Sequence, residues 1–156
     1  MSQPSLYHYF ASKEDLARVC LHLRSKALLM AMQEAVARHA GRPLRDIVDA
    51  LIDSQIDAHR ERPEEWGAHY LLERHLSGVD AYRKMYERFV DAWADALSAA
   101  SDPPAGCAMR EAARVCQTVM YGLVSHVHIS AVGAPDPAAL SLQTRSAINA
   151  YLEALR

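Results

Sequence analysis

Apolar residues recur at steps of three and four along almost the whole chain, and proline or glycine marks the breaks between the runs. The breaks fall at Ala11-Ser12, Gly41-Arg42-Pro43, Arg62-Pro63, Ser77-Gly78, Asp102-Pro103-Pro104-Ala105-Gly106 and Gly133-Ala134-Pro135-Asp136-Pro137. No run alternates with period two. The pattern therefore predicts an all-α chain of seven helical blocks. A short block covers residues 2–10. The second runs from 13 to about 39. Ser12 opens it with Asp15 three positions on, a capping-box spacing, and Gly41 suits the position just past its end. Its buried stripe is expected to be Leu16, Val19, Cys20, Leu23, Ala27, Met30 and Ala31. The third begins at Pro43, with Leu44, Ile47, Val48, Leu51, Ile52 and Ile56 buried. Asp46, Asp49, Asp53 and Asp57 line another face of it, expected to be solvated. The fourth covers 63–76, the fifth 79 to about 100, and the sixth about 107–132. The seventh covers 137–156, with Asp136 as its cap and Pro137 in its first turn.

The last two blocks bear on assembly. The sixth is apolar on nearly every side over 115–132 and needs cover on more than one face. The seventh places Leu140, Thr144, Ile148, Tyr151 and Leu155 on one stripe, with Leu152 beside it. Two such helices from each of two subunits would form a four-helix bundle about a twofold axis, with Val127 also at the seam. The other reading buries both helices inside one protomer.

Composition narrows the class. A hydrophobic share of 51% against 23% charged is that of an ordinary globular protein. The net charge of -2 excludes a general polyanion binder. Residues 1–40 nevertheless carry more basic than acidic side chains, and the rest of the chain is acidic. Cys20, Cys107 and Cys116 are scattered. They make neither a disulfide framework nor a zinc knuckle, and are expected to be reduced core residues of a cytoplasmic protein. The apolar stretch 115–132 contains Gln117, Thr118, Ser125, His126, His128 and Ser130, which argues against a membrane span. There is no phosphate loop, nucleophile elbow or Ser/His/Asp set, so no enzyme, cofactor or metal is expected. His69 and Glu73, four apart on one helix, read as a polar pair at a surface or pocket rather than a metal site. His126 and His128 point to different sides of their helix.

The front of the chain carries the most specific signal. It reads Ser2-Gln3-Pro4-Ser5-Leu6-Tyr7-His8-Tyr9-Phe10-Ala11-Ser12-Lys13-Glu14-Asp15-Leu16. Leu6 and Phe10 anchor a short helix inward, leaving Gln3, Ser5, Tyr7, Tyr9 and Lys13 outward. Those side chains offer base-edge donors and acceptors, phenol hydroxyls and a cation, as a helix in a major groove requires. The stretch resembles the recognition-helix signature of the TetR/AcrR family, a small-residue opening followed by L-Y-x-[HY]-F-x-[SN]-K-[ED]-x-L.

The resemblance implies a TetR-like multi-helix regulator, a homodimer and a repressor released from operator DNA by a small molecule. Gln3 and Ser5 would read base edges, Pro4 would touch a thymine methyl, and Tyr7, Tyr9 and Lys13 would hold phosphates. His8 would lie at the periphery. Residues 1–39 would be a remnant of the DNA-binding head (recognition helix 2–10) plus a long linking helix. Residues 40–156 would form the ligand-binding and dimerisation domain. Family members carry two further helices ahead of this point. The chain is therefore expected to be truncated and to bind DNA poorly until they are restored, or to act as a module that pairs with a full-length relative. The implied effector pocket is expected to be lined by Trp66, His69, Tyr70, Tyr82, Met85, Tyr86, Phe89, Trp93, Met120 and Tyr121, and to take a small, largely apolar molecule.

Overall fold

The computed structural model describes residues 9–106 and 108–156. They form α1 (Lys13–His39), α2 (Leu44–Arg60), α3 (Pro63–Leu76), α4 (Val79–Ser98), α5 (Met109–Ser130) and α6 (Pro137–Glu153). Among the described residues there is no strand. The leading block lies outside them apart from Tyr9 and Phe10. No helix is long and apolar enough to cross a membrane among these residues.

Local chemistry sets the helix limits. Ser12 Oγ accepts the Asp15 N–H at 3.1 Å, and Asp136 Oδ1 accepts the Ala138 N–H at 2.9 Å with Pro137 in the first turn. Gly41 takes φ +79°, where a β-carbon would be strained, so that the chain can reverse after α1. Its N–H donates to the Ala99 carbonyl at 2.7 Å. Pro43 caps α2 without a side-chain bond of its own. Asp102, beyond the end of α4, supplies the missing acceptor by taking the Leu44 N–H at 2.6 Å. That bond holds the Asp102 carboxyl below its ordinary range, and Arg156 adds an ion pair at 2.6 Å. The α1–α2 turn, the end of α4 and the C-terminus are thus tied together at one end of the bundle.

The helices pack around α2, α4 and α5. α1 lies across α2, α3 and α4, while α6 closes the opposite side against α2 and α5. Val48, Leu51, Ile52, Val90, Trp93, Leu97, Met120 and Ile148 form the centre of the core, each at 2% exposure or less.

The structure corrects three expectations. α1 buries Leu21, Ser25, Leu28, Leu29, Met32 and Ala35. Most of the predicted stripe points the other way, with Val19 at 42%, Leu23 at 58% and Met30 at 58% exposure, and Cys20 is exposed too. Apolar and polar residues are both spread around α1, so periodicity alone does not choose its inner face. On α6, Leu140, Thr144 and Ile148 are 3% exposed or less within the single chain. They turn inward and leave nothing for a partner subunit to cover, while Val127, Tyr151 and Leu155 are half-buried. Third, Asp49 and Asp53 do not line a solvated face. Arg145 binds both, and Asn149 and Ser141 donate to Asp49 and Asp53 at 3.0 Å each, which pins α6 to α2. Cys116 is buried as expected.

Candidate functional site

The half of the bundle away from the Asp102 tie is polar inside. The inner stripe of α2 continues past Ile52 and Ile56 into Gln55 and His59, both buried. α3 brings Trp66, His69 and Tyr70 against them, and α5 adds Gln117, Met120, Tyr121 and Val124. Together with Ser25 and Leu28 of α1, Glu73 of α3 and Phe89 of α4, these residues enclose a cavity of about 30 Å³. That is room for one or two water molecules.

His59 organises this interior. A carbonyl can only accept, so the 2.5 Å contact between His59 Nδ1 and the Gln55 oxygen places the ring proton on Nδ1. Nε2 is then an acceptor, and the Tyr70 hydroxyl donates to it at 2.7 Å. Burial drives the His59 pKa down to about 3, and His128 and His69 nearby push the same way. His69 is lowered to about 4, mainly by burial and then by the Arg24 charge. Both rings are neutral at physiological pH. Burial raises the Tyr70 phenol well above its ordinary range.

Trp66 is a fixed wall. His59 stacks on it with centroids 3.9 Å apart, and the Arg24 guanidinium sits 5.2 Å from its ring centroid. Its Nε1 donates to the Ala58 carbonyl at 3.2 Å, and Arg24 is held by Glu65 at 2.5 Å. On the opposite wall the Tyr121 hydroxyl donates to Glu73 at 2.7 Å. Burial holds the Glu73 carboxyl above its usual range, and the Tyr121 bond only partly reverses that.

α3 and α5 approach closely here. A β-carbon on Gly67 would sit 2.8 Å from the His128 carbonyl oxygen. Alanine gains about 1 kcal/mol of helix propensity over glycine, but overpacking costs about 1–3 kcal/mol. Gly67→Ala is therefore expected to lower the melting temperature. An unchanged or raised value would mean that the two helices are free to separate.

Of the ten pocket residues expected from the sequence, Trp66, His69, Tyr70, Phe89, Met120 and Tyr121 line this cavity. Tyr82 and Met85 line a neighbouring cleft of about 170 Å³ between α1 and the α3–α4 turn. Tyr86 lies in an outer groove with Tyr82, its hydroxyl 2.6 Å from that of Thr118. Trp93 is wholly buried and donates to Gln117 Oε1 at 3.1 Å, behind the cavity wall. Ser25, Leu28, Gln55, His59, Gln117 and Val124 are lining residues that the sequence reading did not pick out. Two of them had a visible signal, since Gln55 and His59 are polar residues on an otherwise apolar helical stripe. The lining is mostly apolar, as expected, with Ser25, Gln55, His59, His69, Glu73 and Gln117 as its polar members.

His126 is exposed, whereas the His128 ring sits 5.0 Å from that of His59. Among the described residues no three His, Cys, Asp or Glu side chains are grouped as a metal site. Of the DNA-reading positions, Gln3, Pro4, Ser5, Tyr7 and His8 lie outside the described residues. Tyr9, ahead of the break before α1, and Lys13, the first residue of α1, are exposed.

No curated protein and no solved structure matches the chain. A family model described as tetracyclin repressor-like, C-terminal domain, matches residues 43–152. The match takes in α2 to α5 and nearly all of α6, hence every cavity wall except the one α1 supplies. The chain belongs to the tetracyclin repressor-like family.

Proposed function

We propose that this protein is a ligand-responsive transcriptional regulator, a homodimeric repressor that leaves its operator when a small molecule enters the cavity. In this reading residues 1–39 are the DNA-facing part, with Gln3, Pro4, Ser5, Tyr7, His8, Tyr9 and Lys13 against the duplex. Residues 40–156 bind ligand and dimerise, in the cytoplasm. The outer faces of α5 and α6 meet the partner, through Val127, Tyr151 and Leu155 together with the exposed Leu142.

The observation that carries the reading is the dual position of α1. Its inner residues Ser25 and Leu28 wall the cavity, and its first residue is Lys13. At 1.5 Å per residue, Ser25 lies about 18 Å along the axis from Lys13. A cavity of about 30 Å³ cannot hold an effector without moving a wall. α2, α4 and α5 supply the wholly buried residues at the centre of the core, Ile52, Trp93 and Met120 among them. α1 has one open face, with Leu23 and Met30 each 58% exposed, so it is the wall that yields. Arg18 Nε also donates to the Leu76 carbonyl at 3.3 Å, which couples α1 to the end of α3. A tilt of α1 in both subunits changes the spacing of the two reading segments. Half-sites roughly 34–36 Å apart then cannot both be engaged.

Selection from random-sequence duplexes at low salt tests this, run on the 156-residue chain and on the same chain with the two leading helices of a family member fused ahead of it. A palindrome is expected to be enriched. Ser25→Trp, which fills the cavity from the α1 side, is expected to weaken its binding tenfold or more while sedimentation still reports a dimer. No enrichment by either protein, or undiminished binding by the variant, would overturn the proposal.

A further inference from the structure

Glu73 stands on the wall shared by the inner cavity and the cleft beside Tyr82. Three tyrosine rings meet around it. Tyr70 and Tyr121 are 5.6 Å apart at 89°, and Tyr82 and Tyr121 are 6.3 Å apart at 76°. Rings set nearly at right angles present both faces and edges to the space between them, and the Tyr121 hydroxyl fixes the carboxylate at its border.

Two of the nearby arginines are engaged elsewhere. Arg24 pairs with Glu65, and Arg18 with Asp15 at 3.0 Å. Arg74, next to Glu73 in sequence, is exposed; its charge draws the Glu73 carboxyl down, but as the smallest influence, after burial and the Tyr121 bond. A carboxylate drawn partly out of water with only a weak counter-charge is costly, and π-faces attract cations within about 6 Å of their centroids.

We infer that the effector is an organic cation, an amine or quaternary ammonium with a compact apolar body, whose charged nitrogen seats among Tyr70, Tyr82 and Tyr121 against the Glu73 carboxylate. This rests on the effector-pocket reading above and replaces the largely apolar molecule expected from the sequence. An aromatic lining serves either kind of ligand. The carboxylate at its border discriminates between them, because a neutral ligand leaves it with only the weak pull of the exposed Arg74. The body of the molecule extends into the cleft of about 170 Å³, where Met85 offers an adaptable apolar contact.

The test compares 2-phenylethylammonium with 2-phenylethanol, probes of one shape that differ in charge, by calorimetry and by tryptophan fluorescence on the whole chain. The ammonium is expected to bind at least tenfold more tightly. Glu73→Gln, which keeps an acceptor for Tyr121, is expected to erase that difference. Tyr82→Ala is at a surface-exposed position, so the fold survives it. It is expected to weaken the ammonium several-fold and the alcohol less, since the alcohol loses only apolar contact. Equal binding of the two probes, an ammonium affinity indifferent to Glu73→Gln, or no binding of the ammonium at millimolar concentration would each overturn the inference. The pocket reading is judged separately by Ser25→Trp and DNA release, so either can fail while the other stands.

Discussion

Replacing Trp93 by alanine is expected to destabilise the protein by about 4 kcal/mol, the largest effect of any single substitution considered for the core. Two losses add. The side chain is fully buried between α4 and α5, and large-to-small changes of this kind leave a void that the neighbours Val90, Leu97 and Met120 fill only in part. The indole N–H also disappears, and Gln117, 4% exposed, is left with a buried oxygen that has lost its donor at 3.1 Å. Such an orphaned polar group costs roughly 1–3 kcal/mol by itself. Trp93→Phe separates the terms, since it keeps most of the ring volume and removes the donor. It is expected to cost about half as much. Urea denaturation of the two variants measures both. A loss below about 1 kcal/mol for Trp93→Ala would mean that α4 and α5 are not held as the structure has them. Gln117 also lines the cavity, so the same substitutions are expected to loosen the ligand site before the fold gives way.

The limits of the helices and the faces they bury differ in how legible they are in the sequence. Helix limits were legible because they rest on local chemistry: Ser12, Gly41, Pro63 and Asp136 act within a turn of where they stand. α3 begins and ends where its proline and the Ser77-Gly78 break put it. Destinations were not legible. The stripe on α6 was visible as a stripe, but a helix buried in its own core and one buried in a partner carry the same pattern, and here Ile148 and Thr144 are at 0% exposure within the chain. α1 failed for a related reason, because Cys20, Leu23 and Met30 are as apolar as the residues that face inward. Asp49 and Asp53 looked solvated until α6 brought Arg145 across from nearly a hundred residues away. In the pocket the aromatic residues were found by type, and six of the ten do line the cavity. Of its polar residues, His69 and Glu73 are read from the sequence as a polar pair at a surface or pocket, whereas Ser25, Gln55, His59 and Gln117 are placed there only by the geometry. Glu73 gains its meaning from Tyr121, and His59 from Tyr70, contacts no spacing rule announces.

Lowering the pH from 7 to about 4.5 is expected to remove most of the stability of the chain, through the buried histidines. In the folded protein burial holds His59 down to about 3 and His69 to about 4, whereas in the unfolded chain both titrate near 6.5. A depressed histidine pKa means that the unfolded state binds the extra proton first. The stability these rings contribute is therefore complete above pH 6.5 and is lost progressively as the pH falls toward 4 and below. At pH 4.5 the loss is roughly 2–3 kcal/mol for each ring, because one unit of pKa difference is worth about 1.4 kcal/mol. Two rings approach the whole stability of a typical domain, and His128, also depressed by burial, adds in the same direction. Glu73 acts in the opposite sense. Its carboxyl is raised by burial, so its protonation favours the fold, but one half-buried group does not offset two fully buried rings. The hydrogen bonds give the same sign. Nδ1 of His59 already donates to Gln55, so a second proton on Nε2 would face the Tyr70 O–H and turn an accepted bond into two opposed donors. Urea midpoints at pH 7, 5.5 and 4.5 should fall steeply between the last two. His59→Phe keeps the stack on Trp66 without a titratable nitrogen, and should flatten that fall by about half. A midpoint at pH 4.5 equal to that at pH 7 would place the histidines in water rather than in the cavity wall, and the cavity with them.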